Sequence, residues 1–321
     1  MTGLFAQVAR PAILAASRSD GLRHAAERMP VTREVVRRFV PGETVSDVLT
    51  SVTALRDSCR LVSVDYLGED VTDTETAEAT MRAYLALLDA FGQRAEGGAG
   101  PRPLEVSLKL SALGQALPRD GEKIAYENAH TICEKARNVG AWVTVDAEDH
   151  TTTDSTLKIV RELRTDFDWL GTVLQAYLKR TQADCEDFAA SGARIRLCKG
   201  AYDEPASVAF REPDDVTDSY LRCLRVLMAG SGYPMVASHD PAIIDAVPAL
   251  CREFHRGADD FEYQMLFGIR EAEQRRLAGD GNHVRVYVPF GTQWYGYFVR
   301  RLAERPANLT FFLRALAERR H

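Results

Sequence analysis

The feature that most constrains this chain is an alternation repeated eight times, in which a short apolar run with strand character is followed by a longer helical pattern. The runs fall at 61–66, 104–109, 142–146, 172–176, 195–198, 235–238, 261–265 and 284–288. Helical stretches lie between them at 74–91, 121–138, 157–165, 183–191, 218–228, 242–256 and 271–277. Such alternation predicts a parallel sheet, and eight units predict a closed (β/α)8 barrel of the TIM type. A doubly wound open sheet is the rival, which the count disfavours. No Gly-rich dinucleotide fingerprint opens any of the helices. With 321 residues and 45 % hydrophobic content, the chain can bury one large core. The expected division is an N-terminal helical arm over residues 1–58 and a barrel domain over 59–321.

A net charge of −6 gives no reason to expect nucleic acid as a partner. The six cysteines are scattered without zinc-type spacing, which predicts free thiols in a reducing, cytoplasmic compartment and no metal site. No run reaches the length of a membrane span, and the N-terminus lacks a secretory signal. The first forty residues are nevertheless basic, with Arg10, Arg18, Arg23, Arg28, Arg33, Arg37 and Arg38 against Asp20, Glu27 and Glu34. Together with Leu4, Phe5, Val8, Ile13 and Leu14 they read either as an amphipathic membrane-surface arm or as short helices packed on the body.

In a parallel barrel, chemistry collects where the strands end. Here those ends are polar: Asp65 and Glu69 for the first run, Lys109 for the second, Asp146 and Glu148 for the third, Gln175 and Tyr177 for the fourth. Arg196 and Lys199 follow for the fifth, Ser238 and His239 for the sixth, Glu262 and Gln264 for the seventh, and Tyr287 for the eighth. Singly, each has a plain structural reading. A lone Lys caps a strand, a lone His is more often hydrogen-bonded than catalytic, and Glu262 and Gln264 share a strand face on which they can satisfy each other. Together they would cost several kcal/mol each if buried unpaired, so they are expected to line a pocket.

After the last run, residues 289–292 break the strand, Thr292 is a fair N-cap, and an aromatic-rich helix carries Tyr297, Arg300 and Arg301 on one face. Arg300 and Arg301 read either as a solvated pair or as a receptor for a small carboxylate, because Arg offers bidentate, permanently charged donors. The pocket as a whole reads as cation-rich, with Lys109, Arg196, Lys199, Arg300 and Arg301 against Asp146 and Glu69. It lacks a nucleophile: Cys198 sits inside an apolar strand, and no Ser stands with a His and an acid. A sugar site would want more Trp and fewer cations, which leaves redox or lyase chemistry carried by a cofactor.

The ordered set YLGED (66–70), SLKLSAL (107–113), VDAED (145–149), LQAYLKRT (174–181), RLCKGAY (196–202), SHD (238–240), FEYQMLFG (261–268), YVPFG (287–291) and YFVRRLAE (297–304) resembles the proline dehydrogenase family. The resemblance runs from Asp65 to Glu304. It implies a flavoenzyme on a distorted (β/α)8 barrel with its last helix over the mouth, FAD at the strand ends, and oxidation of L-proline to Δ1-pyrroline-5-carboxylate. On the same resemblance Lys109, Arg300 and Arg301 clamp the substrate carboxylate, Tyr287 packs on the proline ring, and Glu69 is a gate that pairs with Arg300. Asp146 lies beside substrate and flavin, and Arg196 lies against the isoalloxazine near N5. Ala147, Gln175, Lys199, Gly200, Ala201, Ser238 and His239 fall on flavin-contacting positions.

The implied step is hydride transfer from proline C5 to flavin N5, with a quinone as the later electron acceptor. The aldehyde dehydrogenase domain of bifunctional relatives is missing, so the product is expected to pass to a separate pyrroline-5-carboxylate dehydrogenase. A quinone acceptor would give the basic arm a purpose at the inner face of the membrane. Three positions depart from the family pattern: Asp203, Asp240 and the pair Arg305-Pro306. Two other readings stay open: a methylenetetrahydrofolate reductase-like flavin barrel, and a non-catalytic barrel that binds a small anion.

Overall fold

Residues 36–93 and 101–304 are described by the structure, a computed structural model. The amphipathic stretch at 4–14, most of the expected arm and the Arg305-Pro306 departure lie outside the described residues. Among the described residues helix α1 (Val45–Arg56) comes first, started by Thr44 and Asp47, each of which caps the other's backbone. Eight strand–helix units follow: β1 (Leu61–Tyr66) and α2 (Thr74–Gly92), β2 (Leu104–Leu108) and α3 (Gly121–Val139), β3 (Trp142–Val145) and α4 (Thr153–Leu163), β4 (Gly171–Gln175) and α5 (Thr181–Ala190). The second half holds β5 (Arg194–Cys198) and α6 (Pro213–Ala229), β6 (Tyr233–Ala237) and α7 (Pro241–Phe254), β7 (Glu262–Leu266) and α8 (Glu271–Gly279), β8 (Val284–Phe290) and α9 (Trp294–Glu304). All strand pairs are parallel, and β8 closes on β1 with Ser63 opposite Tyr287. The fold is the expected closed barrel.

Alternation along each strand sorts the side chains. Val62, Val64, Val106, Leu108, Val143, Val145, Ile195, Leu197, Val286 and Val288 join the helices in one apolar core. The positions between them turn inward and are polar. Arg196 of β5 reaches Ser63 of β1, Glu105 of β2, Asp146 after β3 and Gln264 of β7, which is possible only through the barrel interior.

Residues 36–40 belong to a second, smaller apolar cluster in which Val36, Phe39 and Val40 pack with Trp294, Phe298 and Val299 of α9. Gly268, at φ +73°, lies so close to this segment that a Cβ would stand 1.8 Å from the Arg38 carbonyl oxygen. The segment thus straps α9 to the barrel. Helix α9 begins at Trp294, so Thr292 stands two residues before it and is not the cap expected of it.

Candidate functional site

Four cations and four acids fill the barrel interior, and each is paired. Arg285 grips Glu262 at 2.6 and 2.9 Å, Arg194 meets Glu105 at 2.5 Å, Arg196 meets Glu105 and Asp146 at 2.7 Å each, and Lys109 meets Asp65 at 2.6 Å. Gln264 donates to Glu262 at 2.5 Å, so that strand-face pair does satisfy itself. The buried floor is thus balanced in charge, while the cavity wall above it carries five cations, Lys109, Arg196, Lys199, Arg300 and Arg301, against Asp146 and Asp240. Glu105 and Asp65 supply negative charge within the floor, as is needed to offset desolvation.

Above this network a cavity of about 610 Å³ opens at the C-terminal ends of the strands. Its wall includes Lys109, Asp146, Ala147, Gln175, Arg196, Lys199, Gly200, Ala201, Ser238, His239, Gln264, Tyr287, Arg300 and Arg301, whereas Asp65, Glu69, Glu148, Tyr177 and Glu262, expected there from their place at the strand ends, are not part of it. Asp146 accepts hydrogen bonds from Ser107 (2.8 Å), Arg196 (2.7 Å) and Tyr287 (2.9 Å). Burial pushes its pKa up, against the pull of Arg196 and Lys109. Burial alone would depress the Lys109 ammonium, but Asp65, Asp146 and Glu69 outweigh it and hold it above its ordinary value. The Tyr287 phenol is pushed well up by burial and by Asp146 and Asp65, so it stays protonated. Burial also takes the Cys198 thiol up to about 12, which rules out a thiolate at neutral pH.

Helix α9 forms the roof. Arg300 pairs with both oxygens of Glu69, at 2.5 and 3.1 Å, although 231 residues separate them. The Arg301 guanidinium lies 5.1 Å from the Tyr297 ring centre, and both residues face the cavity. A small carboxylate between Lys109 below and the two arginines above would meet donors from both sides.

The opposite wall is flatter. Gly200 adopts φ +111°, and a Cβ there would stand 2.3 Å from the Tyr177 ring, so the backbone lies directly on that ring. Lys199 is engaged by Asp240 (2.6 Å) and Thr217 (2.8 Å). Asp240 also caps α7 through the Ala242 amide, and its own amide donates to Ser238 Oγ. Asp203 turns outward to Arg211 at 3.0 Å. His239 accepts the Leu266 amide at Nε2 (2.9 Å), which puts the proton of a neutral ring on Nδ1 and suits a positioning role better than a base.

Glu105, Ser107, Arg194 and Arg285 were missed as site-forming residues, and Asp65 was seen without its partner. The signal was present: polar residues two apart inside otherwise apolar strands, as in Ser63/Asp65, Glu105/Ser107, Arg194/Arg196 and Arg285/Tyr287, mark an inward face.

The sequence profile of the family described as Proline dehydrogenase matches residues 48–314. The chain belongs to the proline dehydrogenase family. It is similar to the proline dehydrogenase of Deinococcus radiodurans, 38 % identical over 88 % of this chain and 90 % of that one. Proline dehydrogenase 1 of Bacillus subtilis is 35 % identical over 90 % and 92 %. A Bradyrhizobium japonicum proline utilization A structure superposes with a TM-score of 0.71 at 28 % identity, over 88 % of this chain. One from Bdellovibrio bacteriovorus shares the fold with a TM-score of 0.77 at 23 % identity, over 84 % of this chain. In both cases the chain spans 32 % of the longer protein. No helix among the described residues is long and apolar enough to cross a membrane.

Proposed function

We propose that the cavity binds FAD and L-proline side by side and that proline is oxidised there to Δ1-pyrroline-5-carboxylate, the first step of proline catabolism. The observation that carries this reading is the meeting, in one cavity, of Lys109, Arg300 and Arg301 with the Arg196–Asp146 pair. The wall fits a flavin: Gly200, Ala201 and Ala147 leave a flat approach, and Gln175, Lys199, Ser238 and His239 add polar groups along it. When bound, FAD supplies at N5 the acceptor for the hydride that leaves proline C5. Lys109, Arg300 and Arg301 hold the substrate carboxylate, and Tyr287 packs on the ring. Orientation of this kind accounts for a large part of a rate enhancement. Arg196, fixed by its five hydrogen bonds, holds positive charge beside the reacting centre, and Asp146 keeps Arg196 and Tyr287 in place. Glu69 closes on Arg300 and keeps water out.

Gly200→Ala tests the cofactor wall. An L residue at this φ costs about 1–3 kcal/mol in strain, and its Cβ displaces Tyr177, so the purified protein is expected to hold FAD at least ~10-fold more weakly in fluorescence titration. Unchanged FAD affinity would place the ring elsewhere.

In this reading a quinone takes the electrons onward, the product passes to a separate pyrroline-5-carboxylate dehydrogenase, and the chain works in the cytoplasm with its basic N-terminal arm at the inner membrane surface. An anaerobic absorbance spectrum before and after adding L-proline is the direct test of the reaction. Flavin bands that bleach with proline and persist with hydroxyproline are expected. Bands that persist with proline discard it as substrate.

A further inference from the structure

The loop that carries Glu69 lies between β1 and α2 and takes part in neither. Its backbone is held at Leu67, whose amide donates to the Phe290 carbonyl (2.8 Å), and, beyond Glu69, at Ser111. The Asp70 amide donates to Ser111 Oγ (3.2 Å) and the Val71 amide to the Ser111 carbonyl (3.3 Å). Between Glu69 and these contacts the chain turns through Asp70 at φ +51°, a left-handed conformation that needs holding in a residue other than glycine. The Ser111 contacts hold it.

Ser111 opens a one-turn 3-10 helix (Ser111–Leu113) just after Lys109, and it is held in turn by Glu148. The Ser111 amide donates to Glu148 Oε1 (3.1 Å) and the Ser111 hydroxyl to Oε2 (2.5 Å). Glu148 is 7 % exposed, is absent from the cavity wall, and is steadied by Gln175, whose side chain donates to the Glu148 carbonyl at 2.8 Å. We propose that Glu148 is a positioning residue for the gate: through Ser111 it fixes the Asp70 turn and thereby sets where Glu69 meets Arg300. This rests on the gate role proposed above for that ion pair.

The chemistry of the contact makes the device sensitive to protonation. An ionised carboxylate offers an acceptor to each of the two Ser111 donors. The hydroxyl, having given its hydrogen to Glu148, keeps a lone pair for the Asp70 amide. A protonated carboxyl turns one oxygen into a donor, so one Ser111 donor loses its acceptor and the hydroxyl must rotate. Burial pushes the Glu148 pKa up to about 7, against the Ser111 hydrogen bonds and Lys109 and with some help from Glu69. The charged and titratable groups coupled to it are Lys109 after β2, Glu69 with its partner Arg300, and Tyr202 in the loop after β5, whose own pKa burial raises. Asp146 and His150 flank it on its own segment. Since Glu148 ionises as pH rises, the anchor is complete above about pH 7 and loosens below it.

The test uses the flavin-loaded enzyme and tetrahydrofuran-2-carboxylate, a proline isostere that lacks the oxidisable amine, in calorimetric titrations from about pH 6 to about pH 8.5. For the wild type we expect binding to weaken ~3–10-fold toward the acid end. Glu148→Gln and Ser111→Ala are each expected to bind ~10-fold more weakly at the alkaline end, the loss of about one hydrogen bond to a charged group, and to show little of the pH slope. A merely structural role would lower the melting temperature without removing the slope. Hydrogen exchange of the peptide covering Asp70 and Val71 in the wild type gives a readout that needs no variant, and its protection is expected to fall below about pH 7. Variants that keep wild-type affinity and slope, or protection that does not change with pH, overturn the role of Glu148 and leave the gate standing. A wild type that does not bind the isostere at all overturns the carboxylate site itself, and the gate with it.

Discussion

Replacing Arg196 with methionine is expected to give the largest combined loss of stability and turnover of any single change in the barrel interior. Arg196 is 5 % exposed and uses its whole guanidinium: Nε to Gln264 (2.5 Å), Nη1 to Ser107 and Asp146 (2.7 Å each), Nη2 to Ser63 (3.0 Å) and Glu105 (2.7 Å). Methionine fills much of the space but leaves Asp146 with a Lys109 ammonium only at 3.8 Å, and leaves Glu105 with Arg194 alone in direct contact. Breaking one side of a buried pair costs about 3–5 kcal/mol. For a domain of this size that is a fall of ~5–10 °C in melting temperature. The loss should depend on pH in a definite direction. Burial acts to raise the Glu105 pKa, but Arg285, Arg194 and Arg196 together hold it far below the ordinary range, so in the wild type it contributes stability above its unfolded value of about 4.3, lost only as pH falls through the depressed folded value. In the variant that depression shrinks and Asp146 rises further, so protons bind earlier and relieve the uncompensated charge. The gap in melting temperature is expected to narrow as pH is lowered from about 7 to about 4. Turnover is expected to fall about 10²–10³-fold, the scale for losing a preorganised charge beside a reacting centre. Arg196→Lys separates the two effects. It restores a cation and part of the stability, but a single ammonium cannot serve five acceptors on three strands and the loop after β3, so most of the loss in kcat should remain. Wild-type stability and kcat in Arg196→Met would mean that the barrel network is not what holds the floor.

The sequence carried the architecture because the barrel writes a local period into every strand. Val62/Val64, Val106/Leu108 and Val286/Val288 alternate with residues of another kind, and the intervening helical patterns are long enough to show. The same alternation made the strand ends legible as a site. What it did not carry was pairing across the barrel. Lys109 finds Asp65 at a separation of 44 residues, Arg196 finds Glu105 at 91, and Arg300 finds Glu69 at 231, and no local periodicity encodes such distances. Counting cations at strand ends therefore describes the cavity wall and not the floor beneath it, where Asp65 near the end of β1 and Glu105 near the start of β2 point inward and neutralise Lys109 and Arg196. Local context misled in a smaller way at Thr292, a good capping residue by type that the turn after β8 leaves short of the helix. Asp240 shows the reverse. Read alone it was a departure from a family pattern, and in the fold it joins Lys199, the start of α7 and the cavity wall.

Arg301→Met is expected to raise the KM for proline by about 10²–10³-fold while leaving FAD bound, the scale for removing one partner of a desolvated, hydrogen-bonded charge pair. Arg301 is 9 % exposed, sits on α9 above the cavity, and lies over the Tyr297 ring, so a methionine side chain keeps most of the packing and removes the charge. The effect on kcat should be smaller, since an anchor that grips substrate and transition state alike acts mainly on binding. Arg300 carries a further consequence through its pairing with Glu69. Losing it also strands Glu69 near the mouth, so Arg300→Met should cost more than the contact itself, and Glu69→Gln in the same chain should recover part of that cost. Arg301→Lys is the control for geometry. It keeps the charge but loses the fork that matches a carboxylate, and a residual rise of ~10-fold in KM is expected. If KM stays at the wild-type value in Arg301→Met, the carboxylate lies elsewhere in the cavity. Lys109, paired with Asp65 on the floor, then becomes its principal anchor.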